Sequence, residues 1–208
     1  MPIEVSIAVN SYRSPELLRL CLQAIRRELR NVQFSYEVLV VDSATEEDTE
    51  MLLREEFPEV RFFPHTGNVG FGRLINTSIQ ESVGQYLFFI NADIILQSDT
   101  VNTLLEYSKY HPDVGLIGPK QLNFNGSLQS TCLRFYRPMT IVYRRTWLKH
   151  LAFGRRHLAW FTMSDFDHQS ERDVDWIMGS ALFAPRAAIE AVGLMDSRFF
   201  MYMEDVDW

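Results

Sequence analysis

At 208 residues, 47% of them hydrophobic and 23% charged, the chain can bury one substantial core, and a wholly disordered protein is excluded. Its formal net charge of -7 sets it against nucleic-acid phosphates unless the positive charges gather in one place. Cys21 and Cys132 are the only cysteines, which argues against a disulfide framework or a zinc site.

Val5 to Val9 is a short β-branched run, and Ser14-Pro15 offers an N-cap and a first-turn proline for a helix carrying Leu17, Leu18, Cys21, Leu22 and Ile25. A second apolar run, Val38 to Val41, ends in Asp42-Ser43, and Thr45 to Asp48 fits a capping box leading into Met51, Leu52 and Leu53. Val60 to Phe63 reads as a third strand, Gly67 to Gly72 as a tight loop, Leu74 to Val83 as a helix and Tyr86 to Ile90 as a buried strand. Strands alternating with helices imply a mostly parallel sheet. Ser98-Asp99-Thr100 caps a helix that ends before Pro112. Val114 to Ile117 and Gln121 to Gln129 follow as strands, with Asn125-Gly126 as a hairpin turn. A strand over Trp176 to Phe183 and a helix from Pro185 to Gly193 precede an acidic end. The expectation is one α/β domain over residues 1–208, with a mostly parallel central sheet, flanking helices and a mixed second half.

In open α/β sheets, ligands bind beyond the carboxyl ends of the strands, near the point where strand order reverses. Asn10-Ser11-Tyr12, Asp42-Ser43 and Asn91-Ala92-Asp93 all fall at such ends. Asp93 interrupts the apolar stretch FFINADIIL, where an unpaired carboxylate is costly to bury. Mg²⁺ or Mn²⁺ bridging two phosphates would meet that cost and neutralise a nucleotide leaving group; an Asx turn is the plainer reading. Asp42 offers acceptors to the N3-H of a pyrimidine base, or simply starts the next helix. The loop from His65 to Arg73 has three glycines ahead of a helix, where backbone N-H groups can approach a diphosphate. It matches neither the Rossmann spacing nor the P-loop, and a plain turn is the alternative. Glu204-Asp205 is either part of a solvated acidic tail or, after Phe199 to Met203, a general base emerging from apolar surroundings.

The segments VSIAVNSYRSPELLRLCLQAI, EVLVVDSATEEDT, FFPHTGNVGFGRLINTSI, GQYLFFINADIIL and DFDHQSERDVDWIMGSALFAPRAAIEAVGLMDSRFFMYMEDVDW, in that order, resemble the family-2 inverting glycosyltransferases. They look most like the bacterial rhamnosyltransferase-like branch. The resemblance implies a glycosyltransferase A-type nucleotide-binding fold, with residues 1–97 holding the nucleotide sugar and 98–208 forming the acceptor side. It implies transfer of L-rhamnose from dTDP-L-rhamnose, or of a sugar from another pyrimidine nucleotide such as a UDP-sugar, to a glycan or lipid-linked acceptor of the bacterial cell envelope. It also implies that Asn10, Tyr12, Asp42, Asn68, Gly70 and Asn91 bind the donor nucleotide, that Asp93 holds Mg²⁺ or Mn²⁺ and that Asp205 is the catalytic base. Trp176, Gly179 and Glu204 fall at the acceptor pocket, with core packing as the other reading of Trp176. Asp165 and His168 also match the family pattern.

The chain departs from the pattern in reading NSYR at its first motif and in having one carboxylate in N-A-D. It stops three residues after Asp205, where relatives continue. The expectation is therefore a truncated chain, with a catalytically inactive nucleotide-sugar or partner-binding module as the alternative function. No leader sequence or run of about 18 apolar residues is present, so a cytoplasmic protein is expected.

Arg134 to Ser164 contains no acidic residue and seven Lys or Arg residues among aromatic and aliphatic ones. It reads as an amphipathic lid or a peripheral anchor on the inner face of an anionic membrane. A packed helical pair with solvated arginines is the plainer reading.

Overall fold

The computed structural model describes residues 2–208. Contacts divide the chain into two compact units, Met1–Pro119 with Gly179–Trp208, and Lys120–Met178; the sequence suggested halves meeting at residue 97.

The first unit is built on the expected alternation of strand and helix. Strands β1 (Val5–Tyr12), β2 (Tyr36–Ser43), β3 (Arg61–His65) and β4 (Tyr86–Asn91) alternate with helices α1 (Pro15–Glu28), α2 (Glu47–Glu56), α3 (Phe71–Glu81) and α4 (Thr100–Tyr110). β1 and β4 read as continuous apolar runs because helices cover both faces of a parallel sheet. Helix α1 buries Leu18, Cys21, Leu22 and Ile25, and each larger side chain so buried contributes about 1.5–3 kcal/mol. Leu17, expected with them, is exposed. Helix α3 places Leu74, Ile75, Ser78 and Ile79 on one buried face.

The capping box expected at Thr45 does not form: the helix starts at Glu47, and the Thr45 hydroxyl donates to the Asp42 carbonyl at 3.2 Å. The strand expected over Val114 to Ile117 is reduced to a single bridge from Ile117 to Phe183.

The second unit holds a two-residue hairpin of β5 (Gln121–Leu122) and β6 (Leu128–Gln129), with Gly126 at φ +79° in the expected turn. β7 (Cys132–Leu133), helices α5 (Pro138–Arg145) and α6 (Ala152–Phe161), and β8 (Trp176–Ile177) follow, β7 pairing with β8. The expected strand over Trp176 to Phe183 is thus two strands broken at Met178 to Ser180. The chain returns to the first unit with β9 (Ala181–Pro185), α7 (Arg186–Val192) and the short helix α8 (Glu204–Asp207).

The main sheet has the order β3-β2-β1-β4-β9, parallel throughout except for β9. Strand order reverses between β1 and β4, which makes their carboxyl ends the switch point. Among the described residues no helix is long and apolar enough to cross a membrane.

Candidate functional site

Register brings the polar strand ends together. Asn10 lies opposite Val41 on one side and Asn91 on the other, and Ser11 lies opposite Asp42. Beyond these ends opens a cleft of about 220 Å³, and Asn10, Tyr12, Asn68, Gly70, Asn91 and Asp93 all line it. Backbone strain collects at the same rim, because Arg13 after β1 and Ala44 after β2 both hold positive φ.

Asn10 is fixed by the Ser78 hydroxyl, which donates to its Oδ1 at 3.0 Å, while its Nδ2 is buried without a partner. Asp42 is fully buried and does not line the cleft, although its neighbours Ser11 and Ser43 do. Both of its carboxylate oxygens and the Ser11 hydroxyl lack a hydrogen-bond partner in the protein. Burial pushes the Asp42 carboxyl above its ordinary value, with the Thr45 and Ser11 hydroxyls nearby acting in the opposite direction.

Asp93 corrects an expectation. It sits in the turn after β4 and is exposed, with no ion pair or hydrogen bond to its side chain among the described residues. No burial cost therefore calls for a cation; what the position offers is one free carboxylate at the rim. No group of three or more His, Cys, Asp or Glu residues gathers to hold a metal among the described residues. That donor set suits Mg²⁺ or Mn²⁺ bound by one carboxylate and completed by phosphate and water, and does not suit an all-protein cage.

The glycine loop also works differently from expectation. Val69 N-H donates to the Ser43 hydroxyl at 3.0 Å, Gly70 N-H to Asn68 Oδ1 at 3.1 Å and Phe71 N-H to the Phe200 carbonyl at 3.1 Å. These three groups are used by the protein itself, so they do not cradle a diphosphate. Gly70 holds φ +82°, and a Cβ there would collide with the Phe200 carbonyl oxygen. Its glycine is required by that close approach.

The acidic end folds against α3. Asn76 pairs both ways with the Met195 backbone, at 2.8 and 2.9 Å. Tyr202 and Met203 then adopt positive φ and lead into α8. Glu204 is buried with Oε2 unpartnered, and burial, followed by the nearby Asp205, pushes its carboxyl up. Asp205 is half-buried and its Oδ2 accepts the Gly179 N-H at 3.1 Å. Gly179 in turn abuts Phe71, a wall of the cleft: a Cβ there would come within 2.7 Å of the ring.

Trp176 belongs to the second unit, where its indole N-H donates to the Arg134 carbonyl at 2.9 Å and its ring stacks on Tyr136. Those contacts are packing, the plainer of its two readings. There too Asp165 pairs with Arg172 at 3.0 Å, and His168 stacks on Phe166. Sequence reasoning placed Ser11 and Ser43 at the strand ends without giving them a role and missed Ser78, whose only signal was a small polar residue on the apolar stripe of α3.

Among curated proteins, the chain is 28% identical over 183 residues to an N-acetylglucosaminyl-diphospho-decaprenol L-rhamnosyltransferase of Mycobacterium tuberculosis. The match covers 82% of this chain and 58% of that protein, so the chain spans little more than half the relative's length. Among solved structures, the mannosyltransferase PcManGT of Pyrobaculum calidifontis, in complex with GDP-Man and Mn²⁺, matches 95% of this chain and 50% of its own. The TM-score is 0.59 at 19% identity. S. aureus TarS residues 1–349 match 98% of this chain and 53% of that one, with a TM-score of 0.63 at 14% identity. The fold is the glycosyltransferase A type, α/β with a mostly parallel central sheet. Residues 6–169 match the model of glycosyl transferase family 2, and the chain belongs to that family.

Proposed function

We propose that the cleft at the β1–β4 switch point takes a pyrimidine nucleotide sugar, with dTDP-L-rhamnose the leading donor, and that the sugar passes to a lipid-linked or glycan acceptor with inversion. One observation carries this reading: register gathers Asn10, Asn91 and the orphaned Ser11 and Asp42 at one sheet edge, with Asp93 free at the rim. The rhamnosyl donor and decaprenol-linked acceptor are suggested by the name of the M. tuberculosis relative.

On this reading Asn10, Tyr12, Asn68 and Asn91 line the nucleotide, and Asp42 offers acceptors to the base once ligand opens its surroundings. A divalent cation held by Asp93 would supply charge neutralisation to the departing diphosphate, so that no leaving-group acid is needed. Asp205 accepts the proton of the acceptor hydroxyl. That oxygen bonds to the anomeric carbon as the bond from this carbon to the diphosphate oxygen breaks on the opposite face. The Gly179 N-H engages only Oδ2 and leaves Oδ1 for this proton. Glu204 and Gly179 set the position of Asp205 rather than touching the reacting atoms.

Calorimetric titration with dTDP, UDP and GDP, with and without Mn²⁺, on the wild type and on Asp93→Ala tests the reading. Metal-dependent binding of one pyrimidine diphosphate, weakened in Asp93→Ala, is expected. Binding of none of the three by folded protein would overturn it.

A further inference from the structure

The second unit carries a surface that sugar transfer leaves unused. The seven basic residues between Arg134 and Ser164 divide by what they touch. Arg134 and Arg137 lie over the Trp160 ring, at 5.2 and 3.9 Å from its centroid, and Arg144 lies over Tyr136 and Phe161. Those three are held in internal cation-π packing. Arg145, Lys149, Arg155 and Arg156 are exposed, and among the described residues no ion pair reaches them. Of the acidic residues that follow, Asp165 pairs with Arg172 and Arg134, Asp175 accepts the Phe135 N-H at 2.8 Å and Asp167 accepts the Gln169 N-H, while Glu171 and Asp173 are exposed and, like the other three, form no ion pair with these four cations among the described residues.

Apolar side chains are exposed on the same elements. Pro138, Ile141, Val142 and Arg145 follow one another at helical spacing, so α5 presents them as one outward stripe. Trp147 in the connection and Phe153 on α6 are 69% and 54% exposed. The Phe153 ring lies 5.7 Å from the Tyr143 ring of α5. Free cations alone would suit any polyanion. Exposed Ile, Val, Trp and Phe among them gain nothing from a soluble polyanion and gain directly from an acyl-chain boundary.

We propose that this surface of the second unit docks on an anionic lipid bilayer, with α5 and α6 at the interface. Trp147 and Phe153 lie at the headgroup boundary and Arg145, Lys149, Arg155 and Arg156 lie on lipid phosphates. The observations are independent of the cleft; the choice of a membrane also agrees with, and in that respect rests on, the lipid-linked acceptor proposed above.

The test is flotation of the full chain with vesicles of phosphatidylcholine alone and of phosphatidylcholine with phosphatidylglycerol, at low and high salt. Two variants accompany it. In one, Arg145, Lys149, Arg155 and Arg156 are all replaced by Gln, and in the other Trp147→Ser and Phe153→Ser are combined; near-UV circular dichroism checks that each keeps its packing. Wild type should float with the anionic vesicles only and lose partition as salt rises, and the Gln variant should lose partition by about fivefold for each cation removed. The aromatic variant should also lose partition while keeping all its charges. Failure to float with anionic lipid at low salt overturns the proposal. So does flotation that both variants retain, or binding to heparin that matches vesicle binding and ignores the aromatic changes. Flotation needs no nucleotide, so an absence of donor binding would count against the transferase reading without touching this one.

Discussion

The Gly179 backbone N-H donates to Asp205 Oδ2 at 3.1 Å, and a Cβ on Gly179 would come within 2.7 Å of Phe71, a residue that lines the cleft. A carboxylate oriented through one oxygen and free at the other is suited to accept a proton. Asp205→Asn keeps an oxygen for the Gly179 N-H but cannot act as a base. Transfer should fall by about 10²- to 10⁴-fold while nucleotide binding and melting temperature stay close to wild type. Transfer within tenfold of wild type would remove Asp205 from the chemistry.

Gly179→Ala probes the same contact from the backbone. The new Cβ would sit 2.7 Å from Phe71 Cε1 and 3.7 Å from the Asp205 Cβ. The nearer atom is at the outer end of a ring that borders open cleft, so the ring can swing aside. The stability loss should be near the low end for overpacking, about 1 kcal/mol. Displaced into the cleft, the ring should narrow it, and a rise in the nucleotide dissociation constant larger than the stability change checks this. A large loss of stability with unchanged binding would show that the ring cannot move.

Gly70→Ala should behave in the opposite way. Here the conflict is with the Phe200 carbonyl oxygen, which is backbone, and alanine is strained at φ +82°. The clash also pushes away the acceptor of the Phe71 N-H, the first donor of α3. A loss of about 2 kcal/mol or more in urea denaturation is expected. Gly67→Ala is the control, since nothing lies within 4 Å of its Cβ position and its φ is not positive.

The parallel half of the fold was legible because β1, β2 and β4 are short apolar runs with small polar residues at their ends and the helices between them carry 3.6-residue stripes. Asn10, Asn91 and Asp93 could be placed at one rim on that basis alone. The antiparallel strand β9 was legible only as part of a longer run, because the apolar residues on either side outweigh the turn signal of Gly179-Ser180 at the break. Loop chemistry was the least legible part. Three glycines ahead of a helix look like a phosphate cradle, yet Ser43, Asn68 and Phe200 take the N-H groups. Two of those partners come from distant segments, which local spacing does not reveal. Asp93 misled for a related reason: an apolar sequence neighbourhood was read as burial, whereas a turn carries the side chain out to solvent.

Asp42 is the position where stability and ligand binding pull apart. Burial raises its carboxyl above the ordinary value of 3.8, and both oxygens lack partners. Below that ordinary value the carboxyl is protonated in both folded and unfolded chains, and burial then carries no charge cost. Between the ordinary and raised values the folded chain binds the extra proton, so the contribution to stability falls as pH rises. Above the raised value the folded chain carries a buried carboxylate whose cost the nearby Thr45 and Ser11 hydroxyls offset only in part. Glu204 adds to this trend, since burial raises its carboxyl too. Glu37 opposes it: burial pushes its carboxyl up, but the Ser6 hydroxyl, the Val83 N-H and Arg61 more than offset this and hold it low, a stabilisation lost as pH falls. Asp42→Asn removes the charge and keeps the shape. It should gain stability over wild type on the order of 1 kcal/mol at neutral pH and none once wild-type Asp42 is protonated, as read from urea denaturation at a series of pH values. A difference that is flat across pH would mean that Asp42 bears no cost of burial. Through the proposed base contact, the more stable variant should also bind the pyrimidine diphosphate more weakly. The carboxylate would then be kept at the expense of stability because the ligand supplies the partner that the folded chain lacks.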